Sequence, residues 1–336
     1  MKRKIFTRLS IAINILLVLV IIVFVLKYEV KVIVPKQYKQ TIANGETFDF
    51  LWPANKSMAL SLTFDDARIS QIDSGITILD KYGVKATFYV SPDNLENRLE
   101  AWKKAIVNGH EIGNHTTTHP CSINFSWTQN SLENYSITDI SNDITTENEI
   151  IKKMLGIQPV SFAYPCGLTF IGAGLNTKSY VPVVSSMFES GRLYLEGSVN
   201  PVFCDMAQLP SEHLDNKSFN QIKELIENAK KTRQWLILSG HDIGEGNDTG
   251  YENQTSSKKT IEAICKYAND PSNGIWIDNV HNIASYIKEK RCEKPFMYLS
   301  ANQMSSSSLY SKLWSIYYIT KMKLKHYKHK IGKILK

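Results

Sequence analysis

Two adjacent aspartates, Asp65 and Asp66, close an apolar run, and a His-x-x-x-His pair, His115 and His119, follows further along the chain. One carboxylate and two imidazoles are a common set for a catalytic divalent cation, with a fourth position open to water or substrate. A spare carboxylate beside such a set can take a proton from water, and a third histidine, His241, can give one to a leaving group. Singly, each signal is weak. An Asp-Asp pair is often a turn or helix cap, and a lone histidine is often structural.

The elements that would position these residues follow from periodicity. Residues 58–64 read as a buried strand, 69–82 as a helix closed by Gly83, 86–90 as a strand and 95–107 as a helix stopped by Gly109. A short strand is expected at 111–114, the end of a helix at 148–155, and strand-like runs at 160–164, 181–187, 235–238 and 275–277. Helices are expected near 258–268 and 280–290, and the Asn-, Ser- and Thr-rich stretch 120–146 reads as a long loop or surface insertion that could wall the site. Such alternation argues for an α/β fold with a parallel sheet or barrel. In that architecture reactive residues gather at strand C-termini. Asp65, Asp66, His115 and His241 all follow strand ends, and that joint placement is what lifts the weak single signals.

With these residues in place, the chain resembles the polysaccharide deacetylases, the NodB homology domain of carbohydrate esterase family 4. The matching segments are LTFDD at 62–66, GHEIGNHTTTH at 109–119, VSFAYPCG at 160–167 and WLILSGHDIG at 235–244, in the family's order. The resemblance implies a distorted (β/α) barrel of about seven strands. It implies that Asp66, His115 and His119 hold a divalent metal, zinc first with Co or Mn as alternatives. It further implies Asp65 as general base, His241 as general acid, and Tyr164, Pro165 and Cys166 as the oxyanion or substrate loop. The expected reaction is hydrolysis of N-acetyl groups on an extracytoplasmic polysaccharide or its N-acetylglucosamine oligomers. A catalytically impaired glycan-binding protein and a sugar O-acetyl esterase are the alternatives.

The chain departs from the family pattern in the third motif, where relatives often carry an arginine and this chain has Ala163. Alanine cannot ion-pair with the base, so Asp65 is expected to lack that partner. No clear fourth motif orients His241. Asp205 and Asp215 are candidates, although each reads first as a surface or turn aspartate. His110, Glu111, His213 and His281 read as structural or surface residues. Cys121 and Cys166 fall in loops at the same rim and are expected to be two separate thiols rather than a disulfide.

The ends carry a different message. Residues 9–26, with Leu9 first and Leu26 last, are interrupted only by Ser10 and Asn14. As a helix they span about 27 Å, close to a bilayer's apolar thickness. Lys2, Arg3, Lys4 and Arg8 precede them, which favours a cytoplasmic N-terminus, and no Ala-x-Ala site follows. The expectation is a single-pass signal anchor with the rest of the chain extracytoplasmic. At the other end, residues 295–336 hold eight lysines and no acidic residue, interleaved with aromatic and aliphatic residues. That tail reads as a basic amphipathic segment for a membrane surface or an anionic envelope polymer. Those lysines alone exceed the chain's formal charge of +7, so the middle is net acidic and nucleic acid is excluded as a partner for it. The expected division is 1–8 cytoplasmic, 9–26 anchor, 27–56 stalk and lead-in, 57–291 deacetylase domain, and 292–336 linker and tail.

Overall fold

A computed structural model describes residues 50–194, 196–245 and 254–291. The anchor at 9–26, most of the stalk and the basic tail lie outside these residues. Among the described residues, no helix is long and apolar enough to cross a membrane.

Strand β1 (Met58–Asp65) is the axis of the sheet, and all eight of its residues are buried. It pairs in parallel along six residues with Trp235–Gly240. Its other edge is shared by Thr87–Val90 (β2) at the C-terminal half and Ile275–Ile277 at the N-terminal half. Beyond β2 lie Glu111–Asn114 (β3), Ser161–Ala163 (β4) and Ser190–Arg192 (β5). Glu212–His213 (β6) pairs with Trp235–Gly240, which is β7, and Ile275–Ile277 is β8. The order is β5-β4-β3-β2-β1-β7-β6, all parallel, a seven-strand half-barrel with β8 alongside. Its two edges meet through the stretch leading into β6, because Gly191 N donates to Met206 O and Leu209 N to Gly191 O, both at 2.7 Å.

The period-two pleat sorts β1 into two faces. Met58, Leu60, Leu62 and Phe64 join the apolar layer under helices Phe219–Thr232 and Lys258–Asn269. Ser61, Thr63 and Asp65 face the other way, into a polar interior. There Glu111 accepts from Thr87 Oγ1 at 2.7 Å and Ser161 Oγ at 2.6 Å, tying β2, β3 and β4 together. It also accepts the His281 backbone N–H at 2.9 Å, which ties in helix Val280–Lys290. Burial pushes the Glu111 carboxyl upward in pKa, a cost those three donors offset. The fold-supporting reading of His110 and Glu111 therefore holds. His110 sits against Asp80 and accepts the Ala86 N–H.

Several expected elements differ. Residues 181–187 form a helix, Val181–Met187, and the strand is the next segment, Ser190–Arg192. Pro182 explains this, since proline suits a first helical turn and is excluded from a central strand. The supposed insertion 120–146 holds the first half of a nineteen-residue helix, Ile137–Leu155. Its start is set by a capping box, in which Ser136 and Asp139 bond each other's backbone N–H. Phe50 and Trp52, read as lead-in, are buried against Trp235, Trp276 and Tyr286, and Trp52 Nε1 donates to Arg233 O at 2.9 Å.

Candidate active site

At the end of β1 the backbone turns through two left-handed residues, Asp66 (φ 73°) and Ala67 (φ 50°). This sends the two adjacent carboxylates in different directions. Asp65 stays on the interior face and is almost wholly buried. Asp66 swings to the rim, where its Oδ1 lies 3.6 Å from His115 Nε2 and 3.7 Å from His119 Nε2.

The histidines are held from behind. His115 Nδ1 bonds the Ala163 carbonyl at 2.9 Å, which fixes the tautomer with the proton on Nδ1 and leaves the Nε2 lone pair facing Asp66. His119 ends a loop whose backbone is clamped by Asp143 from helix Ile137–Leu155. That carboxylate accepts Thr117 N at 2.8 Å, Thr118 N at 3.1 Å and Thr118 Oγ1 at 2.5 Å. Asp66 is held in turn by Arg68, whose Nε and Nη2 reach Oδ2 at 3.2 and 3.1 Å. Arg68 also bonds Asp242 and Gln254, each at 2.6 Å.

Ligand atoms of Asp66, His115 and His119 lie within 4.8 Å of one another. One carboxylate oxygen and two lone-pair nitrogens, each oriented by a second partner, fit a divalent cation with an open position. The electrostatics agree. Burial works to raise the Asp66 carboxyl, but the facing His115, His241, His119 and Arg68 outweigh it and bring the pKa down to about 2. Burial and then the neighbouring His115 lower His119 to about 4. Both groups are thus in their ligating protonation states at neutral pH.

Two further pairs flank this set. Both oxygens of Asp65 accept from Nη2 of Arg192 at 2.5 Å, and the guanidinium lies over the Tyr89 ring with its carbon 5.0 Å from the centroid. This corrects the expectation that Asp65 lacks a cationic partner: the arginine missing from the third motif arrives from β5. His241 Nδ1 bonds Asp215 Oδ2 at 2.6 Å, and Asp215 Oδ1 accepts the His241 backbone N–H and Ser256 Oγ. Asp215, rather than Asp205, is the orienting carboxylate, since Asp205 accepts from Ala207 N and Gln208 in a local turn. Only glycine fits at position 240, where a Cβ would stand 2.5 Å from Ser256 Oγ and 3.1 Å from Asp215 Oδ1. Burial lowers the His241 pKa, but the bond to Asp215 and the charges of Asp65, Asp215 and Asp66 raise it overall.

All five of Asp65, Asp66, His115, His119 and His241 line one cavity of about 440 Å³. Tyr164 and Cys166 line it too, whereas Pro165 is buried beneath the turn. Phe125 and Trp127 form one wall, so the early part of the 120–146 stretch does border the site. Tyr194, which sequence reasoning missed, lines the cavity with its ring 5.9 Å from His241 and 4.1 Å from His213. The expectation of separate thiols is also corrected: Cys121 and Cys166 form a disulfide, their Cα atoms 6.0 Å apart. His119 and Cys166 both take left-handed backbone, at φ 45° and 54°, and the bond joins the loops that carry them.

A model of the polysaccharide deacetylase family matches residues 53–181. Over that span the chain is similar to the polysaccharide deacetylases. The matched span contains Asp65, Asp66, His115, His119 and the 164–166 turn, while Arg192, Asp215 and His241 lie beyond it. The chain is 32% identical over 96 residues to the Bacillus subtilis protein YlxY, a match covering 29% of this chain and 27% of that protein. It is 32% identical over 123 residues to a peptidoglycan-N-acetylglucosamine deacetylase of Bacillus cereus, covering 36% of this chain and 40% of that one. The match thus spans less than half the length of either relative. A crystal structure from Mycobacterium smegmatis, assigned as a polysaccharide deacetylase, superposes with a TM-score of 0.54 over 74% of this chain and 96% of that one. At 14% identity that likeness speaks for the deacetylase fold alone.

Proposed function

We propose that this chain is a metal-dependent hydrolase that removes N-acetyl groups from a polysaccharide or its N-acetylglucosamine oligomers. One observation carries the reading: a carboxylate paired to arginine and an imidazole paired to carboxylate flank a three-ligand set in a single cavity. Asp66, His115 and His119 would hold a divalent cation, zinc first. Such an ion supplies Lewis acidity toward an amide carbonyl and makes a bound water more acidic.

The chain's own residues divide the proton work. Asp65 takes the proton from the attacking water, and Arg192 holds that carboxylate in place. Against the effect of burial, the bond to Asp215 and the neighbouring carboxylates raise the His241 pKa and so favour its protonated form. His241 delivers that proton to the leaving nitrogen, without which an amine anion departs very poorly. The turn at Tyr164 and Cys166 lines the cavity, and the Cys166 backbone N–H would stabilise the charge that develops on the carbonyl oxygen. An altered third motif and an unclear fourth favour a non-catalytic reading; Arg192 beside Asp65 and Asp215 beside His241 supply the two missing partners and support the catalytic one.

Acetate release from matched N-acetyl and O-acetyl sugars, by wild type and a His241→Ala variant, tests the assignment. The amide rate is expected to fall by about 100-fold or more and the ester rate by much less, since an alkoxide leaves more readily. Equal losses on both substrates would refute His241 as the leaving-group acid.

Residues 9–26 would anchor the chain with the domain extracytoplasmic, a reading supported by the four preceding basic residues. The basic tail would then meet an envelope surface.

A further inference from the structure

Behind the proposed cation set lies a second set of donors. Cys121 follows His119 by two residues, is buried, and has its Sγ 3.9 Å from His119 Nδ1. Its disulfide partner Cys166 lines the cavity. The nitrogen facing the sulfur is not the one facing Asp66, since His119 Nε2 lies 3.7 Å from Asp66 Oδ1. One imidazole thus stands between two donor sets, one on each ring nitrogen. Ligand atoms of His119, Cys121 and Cys166 also lie within 4.8 Å of one another.

As it stands the second set cannot bind a cation, because disulfide sulfurs carry no negative charge. Its geometry is nevertheless close to that of a tetrahedral thiolate site. Metal–sulfur bonds of about 2.3 Å and metal–nitrogen bonds of about 2.0 Å place ligand atoms roughly 3.5–3.8 Å apart. The His119–Cys121 pair is already near that spacing. Side-chain rotation on Cα atoms 6.0 Å apart can part the sulfurs to it.

We propose that reduction of the Cys121–Cys166 bond opens a second metal site. The two thiolates and His119 Nδ1 form it, and it selects soft and borderline cations such as zinc, cadmium and copper(I). The reductant is a thiol or phosphine. With a phosphine, two electrons cleave the S–S bond, each sulfur takes a proton, and the phosphine leaves as its oxide with oxygen from water. Metal binding then releases both thiol protons to water, and the imidazole proton moves from Nδ1 to Nε2. Because the two sets share His119, a cation on the sulfur side competes with or distorts the Asp66–His115–His119 side. The disulfide accordingly keeps soft donors out of an oxygen–nitrogen site. None of this depends on the deacetylase reading.

The test is a cobalt(II) titration of the full chain, oxidised and phosphine-reduced, read by the near-ultraviolet charge-transfer band that a cobalt–thiolate bond produces. One equivalent is expected to produce the band in the reduced chain only. A Cys121→Ser, Cys166→Ser double variant should lack it under both conditions while retaining Cys204, Cys265 and Cys292 as an internal control for other thiols. Asp66→Asn should keep the band, because Asp66 belongs only to the first set, and His119→Gln should weaken binding at least about tenfold. No band in the reduced chain, or a band surviving in the double-serine variant, would overturn the proposal. Loss of the band in Asp66→Asn would overturn the claim of a separate set. Acetate release by the oxidised chain is measured separately, so the two readings stand or fall apart.

Discussion

Asp65 and Asp66 are neighbours in sequence and differ in burial, direction and partners. Asp65 is buried against Arg192 and Asp66 sits at the rim facing two histidines, so their substitutions should fail in different ways. Asp66→Asn is expected to lose metal affinity in a competition titration, and Asp65→Asn to keep the metal and lose turnover. Removing the arginine is another matter. Arg192→Met leaves a buried carboxylate unpaired, and chemical denaturation should record a loss of about 3–5 kcal/mol. The partner of His241 makes a pH prediction. In Asp215→Asn the imidazole loses the acceptor that raises its pKa, so the alkaline limb of the kcat profile should move to lower pH. A limb that stays where wild type has it would contradict the assignment of His241 as acid.

At the scale of elements, the residues that were legible are those at the ends of well-patterned strands. Asp65, Asp66, His115 and His241 follow runs of four to eight buried residues, long enough to announce themselves. Arg192 was hidden, and Asp215 could not be chosen over Asp205, because β5 has three residues and the β6 that precedes Asp215 has two, too short for any periodicity. Asp143 was hidden for a related reason. Its helix begins with β-branched and polar residues, and only the capping box at Ser136 and the buried spacing of Ile140, Ile144, Ile151 and Leu155 mark it. That same helix buries Glu147 beneath the histidine loop, where burial and then Asp143 push its carboxyl up to about 8. The unfolded chain ionises this group from about pH 4.5, whereas the folded chain holds the proton until about pH 8. Stability contributed at low pH is therefore lost as pH rises through that window, at up to about 1.4 kcal/mol per pH unit. Glu147→Gln should flatten this dependence and make the variant the more stable chain at pH 8. The turn after β1 offers a test of strain. Ala67→Gly at φ 50° should raise stability by up to about 1 kcal/mol in thermal unfolding, because a Cβ is disfavoured there.

For the whole molecule, the half-barrel explains why residues so far apart in sequence reach one cavity. Parallel strands deliver their C-terminal ends to one rim, and the polar interior built on Glu111, Thr87 and Ser161 carries the arginine that pairs with Asp65. The central claim is that this rim is a metal-dependent deacetylase site, and acetate release from N-acetylglucosamine oligomers tests it most directly. Wild type stripped of metal should be inactive, regain activity with one equivalent of zinc or cobalt, and lose it again in Asp65→Asn while that variant still binds the metal. Glycan binding without acetate release in the metal-loaded wild type, or undiminished release by Asp65→Asn, would contradict the account.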